Sequence, residues 1–262
     1  MNQIVLGCVC ALVIAVVSWR SQFLTPGGAA VQFGLGWMLL GLGGWQWTLP
    51  MLVFFLTSSV ISRTTVNSGT TVREHFAKTG RRDAWQVLAN GVVGGVLVIV
   101  WSVSAREVLY VGYLGAVAAA AADTLGTEIG VLSSRKPLLV TTFRPVEPGR
   151  SGAVSLLGIA SGFSGALLVV LSGIAWIPVT SWWPAILSGV LGGMSGTLLD
   201  SLIGATMQAQ HTCSRCGTIT EKNVHCEEAA PLSRGFPWMQ NDFVNFLCTL
   251  AGSIVGYASY IA

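Results

Sequence analysis

The sequence predicts an all-α fold, a bundle of about eight membrane-spanning helices that forms a single membrane-embedded domain over residues 1–262. Two observations support this prediction. Of the 262 residues, 52% are hydrophobic and only 10% are charged, whereas about 25% of the residues in an ordinary soluble domain are charged. The apolar residues also fall in long windows, several of them near the ~20 residues that cross a bilayer. This composition excludes a water-soluble globular domain.

Eight apolar windows follow one another along the chain, and the second and third are almost continuous. We expect the first to be a retained span, because no basic residue precedes it and Ser18-Trp19-Arg20 is not a small-residue cleavage site. Many of the 32 glycines lie inside windows, which predicts close packing between helices. The windows cover residues 4–19, 29–44, 46–62, 84–103, 107–132, 152–178, 183–207 and 243–262.

The basic residues predict the orientation of the bundle. With eight spans, 13 of the 14 lysines and arginines fall on one side, and only Arg106 falls on the other. The positive-inside rule then places the loops 63–83, 133–151 and 208–242 in the cytoplasm and both termini outside. We expect an integral protein of a prokaryotic plasma membrane. Aromatic residues such as Trp47 lie at the predicted outer interface, where they would form a belt.

Three acidic residues lie inside predicted spans. Asp123 and Glu128 are in the fifth window and Asp200 is in the seventh. Together with Asn90, the two aspartates lie roughly 10 Å in from the cytoplasmic ends of three different spans, at 1.5 Å per residue. An intramembrane acid is costly unless it is paired or hydrated, so we expect a functional site with Mg²⁺ as the simplest partner. The alternative is that the aspartates pair with Ser and Thr groups for packing alone.

The loop before the sixth window has the composition of a phosphate site. It combines Arg144 and Arg150 with Ser151 and Gly152 just ahead of a predicted helix, where backbone N–H groups and the positive end of the dipole attract anions. The alternative is that such cations only enforce topology. No P-loop pattern and no nucleophile elbow occurs, so phosphate chemistry would need another scaffold.

Two further spans begin with polar groups on the same side. One is preceded by three cations and the other opens with two amides and a carboxylate, which serve either as a helix cap or as part of the site. For Arg81 and Arg82 a purely topological role is an equal alternative. The groups are Lys78, Arg81, Arg82, Gln86 and Asn90 for the first span, and Asn241, Asp242 and Asn245 for the second.

The last cytoplasmic loop contains a cluster of potential metal ligands. Cys213 and Cys216 form a Cys-x2-Cys pair, and His225 and Cys226 follow. This spacing in a reducing compartment predicts a structural zinc site. Because His225 and Cys226 are adjacent, they would not easily bind one ion, so free thiols are the alternative. This loop, 208–242, is the stretch most able to form a small subdomain.

Five ordered sequence blocks resemble the signature blocks of one integral-membrane family, domain of unknown function ninety-two. The family contains the plant and cyanobacterial phytyl-phosphate kinase and animal transmembrane protein nineteen. The resemblance runs from about Ser58 to the C-terminus. The blocks are Gln86 to Gly91, Asp123 to Gly130, Pro148 to Gly158, Asp200 to Gln208, and Asn241 to Asn245.

The resemblance implies transfer of a phosphoryl group from a nucleoside triphosphate, CTP by preference, to an isoprenyl monophosphate, giving the diphosphate. Nucleic acid is not an expected partner. On this basis Mg²⁺ binds Asp123 and Asp200, and Glu128 is a third ligand or holds a water. Phosphates bind Arg144, Arg150 and Lys78, and the acceptor or the base is oriented by Asn90, Gln208, Asn241 and Asn245.

Two other functions are compatible with the sequence. A CTP-dependent nucleotidyltransferase that makes a CDP-lipid would need the same acids and cations. An ion or solute transporter would explain the intramembrane acids, but it gives no reason for the Pro-Gly-Arg-Ser-Gly loop, and two-sided access favours acids near the midplane of the bilayer.

Overall fold

A computed structural model describes residues 2–67 and 80–262. Within these ranges, seven helices are long and apolar enough to cross a membrane, which confirms the predicted helical membrane fold. Each helix overlaps a predicted apolar window and begins or ends within a few residues of one end of that window. The helices are α1 (Gln3–Arg20), α2 (Pro26–Asn67), α3 (Ala84–Ser104), α4 (Val108–Gly130), α5 (Leu156–Gly173), α6 (Trp182–Thr206) and α7 (Asn241–Ile261).

Helix α2 contains both the second and the third apolar window, so the seven helices correspond to the expected count of about eight spans. This helix is broken at Gly44, whose φ of 68° and ψ of −160° are not helical. The two halves run in opposite directions, because both the start and the end of α2 contact Arg82. A Cβ on Gly28 would lie 2.5 Å from the Arg82 carbonyl oxygen, and the Arg82 guanidinium donates to Ser58 Oγ at 3.0 Å. Gly44 replaces the polar loop that separates the other helices.

Helix α4 lies at the centre of the bundle and packs against α2, α3, α5, α6 and α7. Every residue from Tyr110 to Ala122 is buried. Glycine contacts allow this packing: a Cβ on Gly115 or on Gly192 would lie 2.4 Å from the carbonyl oxygen of Gly252. Helices α4, α6 and α7 therefore meet backbone to backbone, as the glycine content predicts.

Short strands, for which the sequence gives no pattern, occur in the loops at the polar end of the bundle. Strand β1 (Leu138–Leu139) pairs with β2 (Ala153–Val154). In the loop before α7, a three-stranded sheet has the order β4-β3-β7, and β5 pairs with β6. These strands are β3 (Gln210–Thr212), β4 (Ile219–Thr220), β5 (Val224–His225), β6 (Glu228–Ala229) and β7 (Leu232–Arg234).

Trp47 was predicted to lie in an interfacial belt, and the structure corrects this. Its side chain is fully buried among Trp101, Tyr110 and Tyr113, with ring centroids 4.7–5.4 Å apart. The Tyr113 hydroxyl donates to the Trp47 carbonyl oxygen. The reversal of α2 at Gly44 brings this ring into the bundle.

Candidate functional site

A cavity of about 890 Å³ occupies the polar end of the bundle. It extends from the exposed loop residues Arg81 and Phe143 inward to Asp123 and Asp200, and its walls come from α2 to α7. Most of the predicted site residues line it. These are Gln86, Asn90, Asp123, Glu128, Arg150, Ser151, Gly152, Asp200, Gln208, Asn241 and Asn245.

The two aspartates form the floor of this cavity. Asp123 of α4 and Asp200 of α6 lie within hydrogen-bonding reach of each other, and Thr197 also contacts Asp123. Oδ2 of Asp200 is buried and has no hydrogen-bond partner among the described residues. Two carboxylates in contact cannot both be ionised at low cost unless a cation lies between them. The pair, with its unused oxygen, therefore fits a divalent cation such as Mg²⁺.

Glu128 lies on a different wall of the cavity. Its carboxylate accepts hydrogen bonds from the hydroxyls of Ser62 and Thr65, both at 2.7 Å. Five residues of an ideal α-helix turn through about 140°, which directs Asp123 toward α6 and Glu128 toward α2. Glu128 therefore faces the cavity from the opposite side, and its role as a third magnesium ligand stays a prediction.

Arg82 lines the cavity as well, although the sequence left its role open. Its backbone N–H donates to the Phe23 carbonyl oxygen and its own carbonyl oxygen accepts from the Thr25 N–H, both at 3.0 Å, so the segment just before α2 fixes its position. Burial lowers the pKa of the guanidinium to about 10, and the charge of Glu128 acts in the opposite direction. Arg82 is therefore still a cation at pH 7.

The loop that carries Arg150 is anchored by glycine. Gly152 has a φ of +79°, and a Cβ on it would lie 2.4 Å from the backbone nitrogen of Ala205, so only glycine fits there. The loop does not run directly into a helix as predicted. Strand β2 intervenes, and Ser155 caps α5 by accepting from the Gly158 N–H at 3.0 Å. The expected helix N-terminus is thus separated from Ser151 and Gly152.

Arg150 is close to a second cation. Its Nε is buried and has no hydrogen-bond partner among the described residues. The pKa of Arg234 is lowered by burial and by the charge of Arg150. Two neighbouring guanidinium groups are most stable with an anion between them, which supports a phosphate-binding role for Arg150.

Ser151 and Gln208 both donate hydrogen bonds to a carboxylate that was not among the predicted site residues. Ser151 Oγ donates to Glu221 Oε1 at 2.8 Å, and Gln208 Nε2 donates to the same oxygen at 2.7 Å. Glu221 also lines the cavity and is close enough to Asp123 and Asp200 to interact with both electrostatically. A polar residue in a short β-rich loop gives no sequence signal for such a position.

All five predicted amides line the cavity: Gln208, described above, and four on helices α3 and α7. Gln86 completes a capping box with Asp83 at the start of α3, and Asn90 Nδ2 donates to the Gln86 carbonyl oxygen at 3.0 Å. Asn241 and Asn245 are one helical turn apart on α7 and share its cavity face.

Two predicted residues, Asp242 and Arg144, are not part of this lining. Asp242 follows Asn241 by one residue, about 100° around the helix. Arg144 is exposed, because it follows Phe143 in a turn where Phe143 has a φ of +53°. Lys78 lies outside the described residues. The roles predicted for Asp242 and Arg144 have no support from this lining, and the role predicted for Lys78 stays a prediction.

A second group of side chains lies in the loop after α6. The ligand atoms of Cys213, Cys216, His225 and Cys226, here called the thiol centre, all lie within 4.8 Å of one another, close enough to hold a metal ion. Cys226 has a φ of +52°, which turns its thiol back toward Cys216 at 3.8 Å. The left-handed conformation of Cys226 lets the adjacent residues His225 and Cys226 face the same point, which was expected to be difficult. His211 of β3 is not in the group.

The electrostatics of the thiol centre favour a metal ligand. Hydrogen bonds with the side chain and backbone of Thr218 lower the pKa of Cys216 to about 6. A lowered pKa favours the thiolate, which is the form of cysteine that binds metals. The pKa of Cys226 is instead raised to about 11 by its hydrogen bond with Cys216. Such a difference is expected when one thiol keeps the proton that both share.

Comparison with known proteins gives one family. The sequence profile of the integral membrane protein family DUF92 matches residues 9–253. An uncharacterized membrane protein of Methanocaldococcus jannaschii is 29% identical over 260 residues, 98% of this chain and 93% of its own length. From Arabidopsis thaliana, Protein PGR is 26% identical, covering 97% of this chain and 94% of its own length. Protein VTE6, chloroplastic, is 25% identical, covering 88% and 64%. No solved structure matches.

Proposed function

Because this chain belongs to the DUF92 family of integral membrane proteins, we propose that it catalyses the reaction implied by its resemblance to the phytyl-phosphate kinase of that family. In this reaction a nucleoside triphosphate, CTP by preference, phosphorylates an isoprenyl monophosphate at the cytoplasmic face of the membrane. The observation that carries the proposal is the acidic pair Asp123 and Asp200 at the floor of a cavity that also contains Arg82 and Arg150.

The cavity adjoins an apolar pocket that suits an acceptor with an isoprenyl tail. The pocket is lined by α1, both halves of α2, and α3, and includes Leu35, Met51 and Phe55. Its lining shares Arg82, Gln86 and Asn90 with the polar cavity. An acceptor phosphate beside Arg82 would therefore leave its first isoprenyl units among apolar side chains.

The residues of the cavity would have different roles in phosphoryl transfer. Asp123 and Asp200 would hold Mg²⁺, which when bound neutralises charge on phosphate oxygens. Arg82 and Arg150 would bind phosphates as charge-assisted donors. Asn90, Asn241 and Asn245 would orient the acceptor or the base. Catalysis of this type depends chiefly on positioning and charge stabilisation.

The chemistry is a single displacement. An anionic oxygen of the isoprenyl monophosphate attacks the γ-phosphorus of the donor, and the bond from this phosphorus to the oxygen bridging the β-phosphate breaks. The products are the isoprenyl diphosphate and a nucleoside diphosphate. Because a phosphate monoester has a second pKa near ~6, the acceptor is already ionised at pH 7 and needs no strong general base.

A transporter receives less support from the bundle. Every residue of α4 from Tyr110 to Ala122 is buried, and the backbone of this stretch touches α6 and α7 at Gly115, Gly192 and Gly252. This packing leaves the acidic pair accessible from the polar end, which suits a one-sided enzyme.

The test is incubation of the purified protein with Mg²⁺, each of the four common ribonucleoside triphosphates and a panel of isoprenyl monophosphates, followed by mass spectrometry. We expect a mass gain of one phosphoryl group on at least one acceptor. A gain of a nucleoside monophosphate would identify a nucleotidyltransferase instead. No gain on any acceptor, from protein that binds Mg²⁺ and nucleotide, would refute the proposal.

A further inference from the structure

Glu221 connects the thiol centre to the acidic cavity. It lies five residues after Cys216 and four before His225, so a metal bound at the thiol centre would hold both ends of its segment. Within the segment, the Cys213 N–H donates to the Thr218 carbonyl oxygen at 3.0 Å. The preceding residue, Thr220, is buried and pairs with His211 across the β3-β4 ladder.

The carboxylate of Glu221 is fixed from the other side by the membrane bundle. Its Oε1 accepts from Ser151, in the loop before α5, and from Gln208, just after α6. These two bonds direct the carboxylate to the same cavity as Asp123 and Asp200, with which it interacts electrostatically.

Three carboxylates near one another repel unless a proton or a cation neutralises part of their charge. Oδ2 of Asp200 is buried without a hydrogen-bond partner among the described residues, which is an independent sign of a missing positive group. Oxygen ligands from three acids are the set that Mg²⁺ and similar hard cations prefer.

We propose that Glu221 is a third carboxylate of the cation site at Asp123 and Asp200, and that the thiol centre, with its metal bound, positions it there. This inference rests on the proposed function for the identity of the reaction, but not for the cation site itself. The loop 208–242 is then a support for the catalytic cation rather than a separate subdomain.

The test substitutes Glu221→Gln, which keeps an oxygen that accepts from Ser151 and Gln208 while removing the charge. The readouts are the Mg²⁺ concentration for half-maximal activity and, without turnover, the affinity for Mn²⁺ measured by electron paramagnetic resonance. Loss of a supporting carboxylate typically costs about 10-fold or more in metal affinity, and we expect at least this shift in both readouts. Glu228→Gln, an exposed acid of the same loop, should leave both at the wild-type value.

The role of the thiol centre is tested with Cys213→Ser combined with Cys216→Ser. We expect a comparable rise in the Mg²⁺ requirement, and no further rise when Glu221→Gln is added, since residues that act through one another are not additive. The zinc content of Glu221→Gln protein should equal that of the wild type. Wild-type Mn²⁺ affinity in Glu221→Gln protein would overturn the inference, and so would additive effects. Because Mn²⁺ binding needs no substrate, these outcomes are independent of whether any isoprenyl phosphate is phosphorylated.

Discussion

Substitution of either cavity aspartate by asparagine separates a cation site from a structural ion pair. Asp123 and Asp200 contact each other, and Asp123 also contacts Thr197. Among the described residues, no lysine or arginine forms a salt bridge with either aspartate. We expect Asp123→Asn or Asp200→Asn to abolish phosphotransfer and to remove the Mg²⁺ dependence of nucleotide binding. Both variants should remain folded, because asparagine keeps the side-chain volume.

The size of the effect on stability follows from the contact. Two unit charges about 4 Å apart interact by about 4 kcal/mol at an effective dielectric constant of about 20. This is an upper bound on the repulsion that Asp200→Asn relieves in chelator, because a shared proton already relieves part of it at pH 7. A structural ion pair would behave in the opposite way, since its loss destabilises a buried site by roughly 3–5 kcal/mol.

The assay is thermal unfolding in detergent or nanodiscs, with chelator and with Mg²⁺, alongside turnover. Glu107→Gln is a matched control, because it removes an exposed acid at the other end of α4. In chelator, Asp200→Asn should melt at or above the wild-type temperature, and Mg²⁺ should stabilise only the wild type and Glu107→Gln. If Asp200→Asn melts clearly earlier than wild type in chelator and keeps its turnover in Mg²⁺, the acid belongs to the structure of the bundle.

Two further predictions concern the membrane topology and the loop that carries Arg150. Reporters fused after residues 80, 145 and 220 should all report cytoplasm, because 13 of the 14 basic residues lie on that side; a cytoplasmic reporter at Ser181 would contradict this orientation. Gly152→Ala should lower the free energy of unfolding by more than the ~1–2 kcal/mol that left-handed strain costs alone, because its Cβ would clash with Ala205. Activity should fall as well. Gly217→Ala is the control for strain alone, because Gly217 has a φ of +71° and a Cβ on it would meet no atom within 4 Å. Equal losses of stability in the two variants would show that the contact with Ala205 does not matter.

The sequence predicted those cavity residues whose depth in the membrane follows from their distance to the end of a span. The helical rise and the distribution of basic residues together place Asp123, Asp200 and Asn90 at one level, and the structure brings all three to one cavity. The three residues lie on different helices, so no local pattern was needed beyond the count from each helix end.

Other features depended on backbone conformation that the sequence does not specify. The reversal of α2 uses a non-helical conformation at Gly44, but many other glycines in the windows are helical. Cys226 turns back through a positive φ, which is unusual for a residue other than glycine. Glu221 reaches Ser151 across 70 residues of sequence, a contact that forms only once the loop has folded against the bundle.

The most direct measurement of the central claim is the position of the transferred phosphorus. Purified protein is supplied with an isoprenyl monophosphate, Mg²⁺ and CTP labelled at either the γ- or the α-phosphate, with Asp123→Asn protein as the inactive control. The account predicts label on the lipid from γ-labelled CTP alone, in an isoprenyl diphosphate, and none with the variant. Label on the lipid from α-labelled CTP, or equal labelling by the variant, would contradict it.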